Sequence, residues 1–212
     1  MQEYLDILWK GGVLIIPIVI CSVIALGVFV ERVIAMRPGK VFPPDLADSI
    51  YDLVKKGQYD GAVTVASQRP GALSSLVLAC LNSKHLGRAQ TKEMMEEVGS
   101  VELGLLGRWL GALSTIATVS PLLGLLGTVT GMIKVFKSVA SVQDPQISQL
   151  AGGIWEALLT TVAGLVVAIP AYLCFRFLES RLERMASAMQ EYGLKLLDTV
   201  FPVSDGAEAG KE

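Results

Sequence analysis

The stretch WLGALSTIATVSPLLGLLGTVTGMIKVF, Trp109 to Phe136, decides how the chain is built. It carries no charged residue from Trp109 to Ile133. At a rise of about 1.5 Å per residue, a helix of that length crosses a hydrocarbon layer of roughly 30 Å, so the stretch reads as a membrane span. On a helical wheel its small and polar residues fall into two stripes roughly 100° apart. Ser120, Gly124, Gly127 and Gly131 form a ridge without bulk, along which another helix can approach closely. Lipid gives helices no hydrophobic drive to associate, so tight van der Waals packing has to take its place. Ser114, Thr118, Pro121, Leu125 and Thr128 form the second stripe. Hydroxyls and a proline are expected to face protein or a water-lined space rather than acyl chains.

Composition agrees with a membrane protein. Of 212 residues, 52% are hydrophobic and only 18% charged, and the mean hydropathy of +0.53 is too high for an ordinary soluble domain of this size. A net charge of −2 with no basic face or run excludes nucleic acid as an expected partner. Cys21, Cys80 and Cys174 lack metal-like or redox-like spacing, and the single histidine, His85, stands beside Lys84 as surface residues do. No zinc site, serine triad or cofactor motif can be assembled, so the chain reads as neither an enzyme nor a cofactor protein.

Outward from the central stretch, the chain divides as follows. Residues 1–10 alternate Tyr4, Leu5, Leu8 and Trp9 with Glu3, Asp6 and Lys10, the pattern of an interfacial helix. Residues 11–34 form a first span, uncharged from Gly11 to Val30, with Pro17 near its start where a missing N–H costs least. A cleaved leader is the competing reading, but there is no basic n-region, the apolar run is too long, and Glu31 and Arg32 stand where small residues should precede cleavage. Residues 35–108 are a solvated helical domain. Within it the pattern predicts helices over Asp45–Lys56, closed by Gly57, over Gln58–Gln68 and over Ala72–Lys84. A fourth helix is expected from an N-cap at Thr91, running towards or directly into the second span at 109–139. A short loop, 140–149, holds the turn signal Asp144-Pro145. The third span, 150–176, carries a small-residue stripe through Gly153, Ala157, Thr161, Gly164, Ala168 and Ala171. A mixed-charge helix, 177–203, and a polar tail, 204–212, complete the chain. The expected class is all-α: three transmembrane helices, a cytoplasmic helical domain, and long helices extending from the second and third spans.

Orientation rests on the basic residues beside the spans. Arg32, Arg37, Lys40, Arg108, Arg176, Arg181 and Arg184 lie on one side and Lys10, Lys134 and Lys137 on the other. The positive-inside bias places the amino terminus outside and residues 31–108 with the carboxyl-terminal helix in the cytoplasm. Thr128 and Thr161 then lie at similar depth, roughly 12–16 Å below the outer surface at about 1.5 Å per residue. Glu156 lies one to two turns nearer that surface. A carboxyl group there is costly unless neutral, paired or hydrated, and points to an ion path; the bland alternative is a glutamate reaching the headgroups or a neighbouring helix. Threonines in spans usually bond back to their own helix, so without Glu156 they would carry little weight.

SPLLGLLGTVTGM, Ser120–Met132, followed by GIWEALLTTVAGLVVAIPAY, Gly153–Tyr172, resembles the paired signature of the MotA/TolQ/ExbB proton-channel family. The three-span layout with its large segment between the first two spans resembles the TolQ/ExbB branch. The resemblance implies a multi-pass subunit of the bacterial inner membrane, a homo-pentamer around a pair of single-span ExbD/TolR-type helices whose aspartate carries the proton. It further implies work passed on to a TonB/TolA-type protein, for transport energisation or envelope maintenance. Carried over by motif, Thr128, Thr161 and Glu156 belong to the ion pathway, with Thr160 an added hydroxyl where alanine is common, so which of Thr160 and Thr161 faces the pore stays open. Gly124, Gly127, Gly131, Gly153, Ala157, Gly164 and Ala168 are expected to serve helix packing and the subunit interface. A passive membrane scaffold is the alternative function; it has no need of a carboxyl group within a span.

Overall fold

A computed structural model of the chain describes residues 13–141 and 147–202. The helix expected over residues 1–10, the Asp144-Pro145 turn and the tail from 204 lie outside the described residues. Among the described residues every regular element is helical, and these fall into two compact units.

The first unit comprises the chain up to Arg32 together with Trp109–Leu178. It holds α1 (Ile15–Ala35) almost entirely, α7 (Leu110–Ser141) and the first part of α8 (Ile147–Val200). These are the helices long and apolar enough to cross a membrane, with mean hydropathies of 2.4, 1.7 and 2.1. Their outward side chains are large and bare: Val23 and Leu26 on α1, Leu122 and Phe136 on α7, Val166 and Leu173 on α8 are all exposed. Such a continuous apolar surface would associate in water, whereas acyl chains cover it without penalty. Pro17 sits in the first turn of α1, where its N–H would have had no partner in any case. Pro121 and Pro170, by contrast, lie inside α7 and α8. Phe29 of α1 meets Phe177 of α8 edge to face at 6.4 Å.

The second unit comprises Val33–Arg108 and the chain from Glu179 onward. It contains α2 (Pro38–Val41), α3 (Pro44–Lys55), α4 (Tyr59–Gln68), α5 (Ala72–Ser83), a 3-10 turn (Lys84–Leu86), α6 (Arg88–Gly107) and the last turns of α8. In α3 the buried residues Leu46, Ile50 and Val54 recur every fourth position, so one face enters the core. They pack with Leu73, Val77 and Cys80 of α5 and with Leu196 and Leu197 of α8. Gly57, at φ +73, ends α3 in a left-handed conformation that a side chain would strain. The Tyr192 hydroxyl donates to the Ala47 carbonyl at 3.0 Å while its ring stands edge-on to Phe42. An Arg88–Asp198 ion pair joins α6 to α8.

Two local expectations are corrected. Thr91 is not an N-cap: Gly87, at φ +92, turns the chain earlier, α6 starts at Arg88, and the buried Thr91 hydroxyl donates to Ser83 O at 2.9 Å. Nor does α6 run on into the second span. It stops at Gly107, with Arg108 and Trp109 in a turn, and α7 begins at Leu110. The third span and the helix after it, in contrast, are one element, α8.

Candidate functional site

The site is built on the seam between α7 and the first half of α8, where glycine lets two backbones nearly touch. A Cβ added at Gly131 would meet Ala157 Cβ at 2.8 Å, and one at Gly127 would meet Thr160 Oγ1 at 2.1 Å. At Gly124 it would meet Thr161 Cα at 3.0 Å, and at Gly164 the Ser120 carbonyl at 2.5 Å. At the far end, Gly153 faces Val135. Residue numbers fall along α8 as they rise along α7, so the pair is antiparallel. The ridge expected to admit another helix therefore admits α8 of the same chain. Ala157 and Ala168 are buried.

This packing separates the two adjacent threonines of α8. Thr160 points into the seam, is almost fully buried, and donates to the Ala157 carbonyl of its own helix at 2.7 Å. Thr161 lies beside the seam and reaches across it, its hydroxyl donating to Gly124 O at 3.0 Å. That bond needs glycine at 124, since the missing Cβ is what brings the two backbones together. Thr128 stands one turn along from Gly124 on the same side, half-buried, with its hydroxyl donating to Leu125 O at 2.7 Å. Given the antiparallel register, Thr128 and Thr161 lie within about one turn, roughly 5 Å, along the axis. Both keep oxygen lone pairs able to accept a further hydrogen bond.

Glu156 is elsewhere. It lies five residues before Thr161, which at about 100° per residue turns it about 140° around α8. There its carboxylate accepts a hydrogen bond from Lys134 Nζ at 2.9 Å, an ion pair between α8 and α7. Lys134 is itself six residues after Thr128, about 120° around α7. The helix pair thus has two different edges, one with the hydroxyls of Thr128 and Thr161 and one with the Lys134–Glu156 pair. Beside the ion pair is a pocket of about 230 Å³ whose polar lining is Thr130, Lys134, Glu156 and Thr160 and whose apolar wall includes Val13 and Leu14. In the seam below Gly124, the buried Ser120 hydroxyl has no hydrogen-bond partner. Among the described residues no group of histidine, cysteine and acidic side chains could hold a metal ion.

The model of the MotA/TolQ/ExbB proton channel family matches residues 69–191, more than half of the chain. The chain belongs to that family. The match takes in α7 and the whole membrane-spanning part of α8, and so both edges of the seam. Curated relatives agree. The chain is 35% identical to the ExbB-like 1 biopolymer transport protein of Synechocystis sp., over 83% of this chain and 70% of the relative. It is 28% identical to the Tol-Pal system protein TolQ of Haemophilus influenzae, over 90% and 89%. With the biopolymer transport protein ExbB of Salmonella typhimurium it shares 36% over a shorter stretch, 43% of this chain and 38% of that one. The chain is therefore a multi-pass membrane protein of a proton-channel family, on the TolQ/ExbB branch.

Lys134 is the residue of this family member's seam that the sequence reading missed, since it was counted only among the basic residues flanking the spans. A signal was present. Lys134 and Glu156 are opposite charges near the facing ends of two apolar spans that follow one another in the sequence, and such residues come level with one another when the spans pack antiparallel.

Proposed function

We propose that the chain is the channel-forming subunit of an inner-membrane complex that couples the proton gradient to mechanical work, as in TonB-type transport energisation or Tol-type envelope maintenance. It would assemble as a homo-pentamer around a pair of single-span ExbD/TolR-type helices, which in turn act on a TonB/TolA-type protein. The amino terminus lies outside and the second unit in the cytoplasm. The observation that carries the reading is the hydroxyl edge: Thr128 and Thr161 sit at one depth on one side of a glycine-tight helix pair, in a chain of a proton-channel family. Hydroxyls alone would suit a scaffold as well; the feature a scaffold has no use for is Glu156, a carboxyl group within a span of the same helix pair. Apart from Glu31 in the last turn of the first span, the chain itself offers one carboxyl group, Glu156, and no histidine in its spans, too few groups for a relay across the membrane. The proton-carrying carboxyl group is therefore supplied by the partner helix. As it gains and loses charge, the Thr128 and Thr161 hydroxyls donate to it or accept from it. Glu156 contributes fixed negative potential near the outer mouth.

The test is replacement of each hydroxyl by a methyl group of nearly the same shape. Thr128→Val and Thr161→Val should each assemble normally with the partner and lose at least tenfold in proton flux per assembled complex, measured in vesicles with an imposed gradient. Normal flux in both would return the weight to the scaffold.

A further inference from the structure

The Lys134–Glu156 ion pair is not accounted for by packing or by a hydroxyl layer. It joins α7 to α8 near their outer ends, on the edge opposite Thr128 and Thr161. Glu156 is only partly exposed, 28% for its side chain, while Lys134 is 64% exposed, so the lysine approaches from outside and covers the carboxylate. Around them the walls are Val13, Leu14 and Leu126, with the hydroxyls of Thr130 and Thr160. Both hydroxyls already donate to their own helix, Thr130 to Leu126 O at 2.9 Å and Thr160 to Ala157 O at 2.7 Å. Among the described residues lining this pocket, Lys134 is the sole cation and Glu156 the sole anion. A carboxylate in such a setting is stable when paired and costly when alone, because low-dielectric surroundings strengthen the attraction and penalise the orphan.

From this we infer that Lys134 is a positioning residue: it holds Glu156 as a permanently paired anion that sets the geometry and potential of the outer end of the hairpin, without Glu156 passing the proton itself. The inference rests on the channel reading above and deepens it by assigning the two edges different tasks. Loss of one member then does more harm than loss of both. Lys134→Gln strands a carboxylate beside α7. Lys134→Gln with Glu156→Gln leaves two amides that can hydrogen-bond to each other and no uncompensated charge. Lys134→Glu with Glu156→Lys keeps the pair with its poles exchanged.

The experiment uses the full chain assembled with its partner and reads two quantities, proton flux per assembled complex in vesicles and the thermal midpoint of the purified complex. Lys134→Gln is expected to reduce flux at least fivefold and to lower the midpoint. The double glutamine variant and the exchanged pair are expected to recover the midpoint and to conduct at least threefold faster than Lys134→Gln, while staying below the parent because Glu156 no longer supplies its negative potential; Lys134→Arg, which keeps the charge, is expected to resemble the parent. The inference is overturned if the double glutamine variant and the exchanged pair conduct no faster and melt no higher than Lys134→Gln, or if Lys134→Gln matches the parent in both readouts. Should the parent complex itself conduct no protons, the channel reading fails, yet recovery of the midpoint in the double variants still reports the pairing, so the two failures are distinguishable.

Discussion

Adding one methyl group at Gly127 is expected to open the α7–α8 seam. A Cβ there would stand 2.1 Å from Thr160 Oγ1, 2.5 Å from Thr160 Cβ and 3.1 Å from Thr160 Cγ2, whereas non-bonded heavy atoms settle at about 3.5–4.0 Å. Turning Thr160 to another rotamer moves Oγ1 and Cγ2 but not Cβ, whose place is fixed by the backbone. The helices must then part by about 1 Å. Overpacking of this kind costs about 1–3 kcal/mol. Alanine also gains about 0.8–1.0 kcal/mol over glycine in helix propensity, which confuses a comparison with the parent. Gly111 removes that confusion: it lies on the same helix with nothing within 4 Å of its added Cβ. Gly111→Ala receives the propensity gain alone, and Gly127→Ala should fall below it by the overpacking cost. For a chain of this size that is on the order of 2–12 °C in thermal midpoint, measured by circular dichroism in mild detergent. The same logic makes a compensation test at Gly131, where the clash is with Ala157 Cβ at 2.8 Å. Gly131→Ala with Ala157→Gly moves the methyl group across the seam and should be more stable than the two single effects summed. A Gly127→Ala midpoint equal to or above that of Gly111→Ala would refute the close approach on which the site depends.

Three further outcomes are expected. Thr115→Val should leave proton flux unchanged while Thr128→Val and Thr161→Val reduce it, because the Thr115 hydroxyl is committed to Gly111 O on another face of α7; equal losses in all three would show a general effect of threonine on the helix. Cysteine labels introduced at Asp60 and Gln190 should react with an impermeant maleimide only from the cytoplasmic side, and one at Gln143 only from outside; reaction of position 143 from the cytoplasm would refute the topology. Burial raises the Cys80 thiol to about 11 and pushes the Tyr192 hydroxyl up in the same direction. Both are acids that ionise earlier in the unfolded chain, which therefore binds fewer protons than the folded one above pH 9. Their contribution to stability should then be fully present well below pH 9 and be lost as pH rises between 9 and 11, by roughly 2–3 kcal/mol from Cys80 alone, read as urea midpoints across that range.

Much of this was legible because the determining interactions are local or periodic. The absence of charge from Trp109 to Ile133 and the spacing of Gly124, Gly127 and Gly131 mark a span and its close-packed face whatever lies opposite. The helices of the second unit follow from the fourfold recurrence of Leu46, Ile50 and Val54, and from Gly57, whose positive φ only glycine adopts freely. The Thr91 cap failed because a competing local signal, Gly87 at φ +92, turned the chain four residues before the expected cap. Capping preference is a weak force beside a glycine that permits an earlier turn. The partner of Glu156 and the separation of Thr160 from Thr161 were harder for a different reason. Both depend on how α8 is rotated against α7, and rotation about a helix axis is set by summed contacts along the whole seam. No single residue encodes it.

The seam also explains why packing and chemistry cannot be separated here. Thr161 reaches Gly124 O only because a glycine stands there, and that glycine's neighbours in the ridge, Gly127 and Gly131, hold α8 at the distance that makes the reach 3.0 Å. If α8 retreated by about 1 Å that bond would pass beyond hydrogen-bonding range, and the Thr161 hydroxyl would turn to a carbonyl of its own helix, as Thr128, Thr130 and Thr160 already do. The Lys134–Glu156 contact at 2.9 Å would stretch less, since a long lysine side chain follows a moving partner at little cost. A seam variant should therefore lose the geometry of its hydroxyl edge before that of its charged edge. In Gly127→Ala, if the complex still assembles, proton flux should fall as it does in Thr161→Val, while the Lys134→Gln with Glu156→Gln rescue should be retained in the Gly127→Ala background. Loss of that rescue with flux intact would mean that the charged edge, and not the hydroxyl edge, is what the glycines serve.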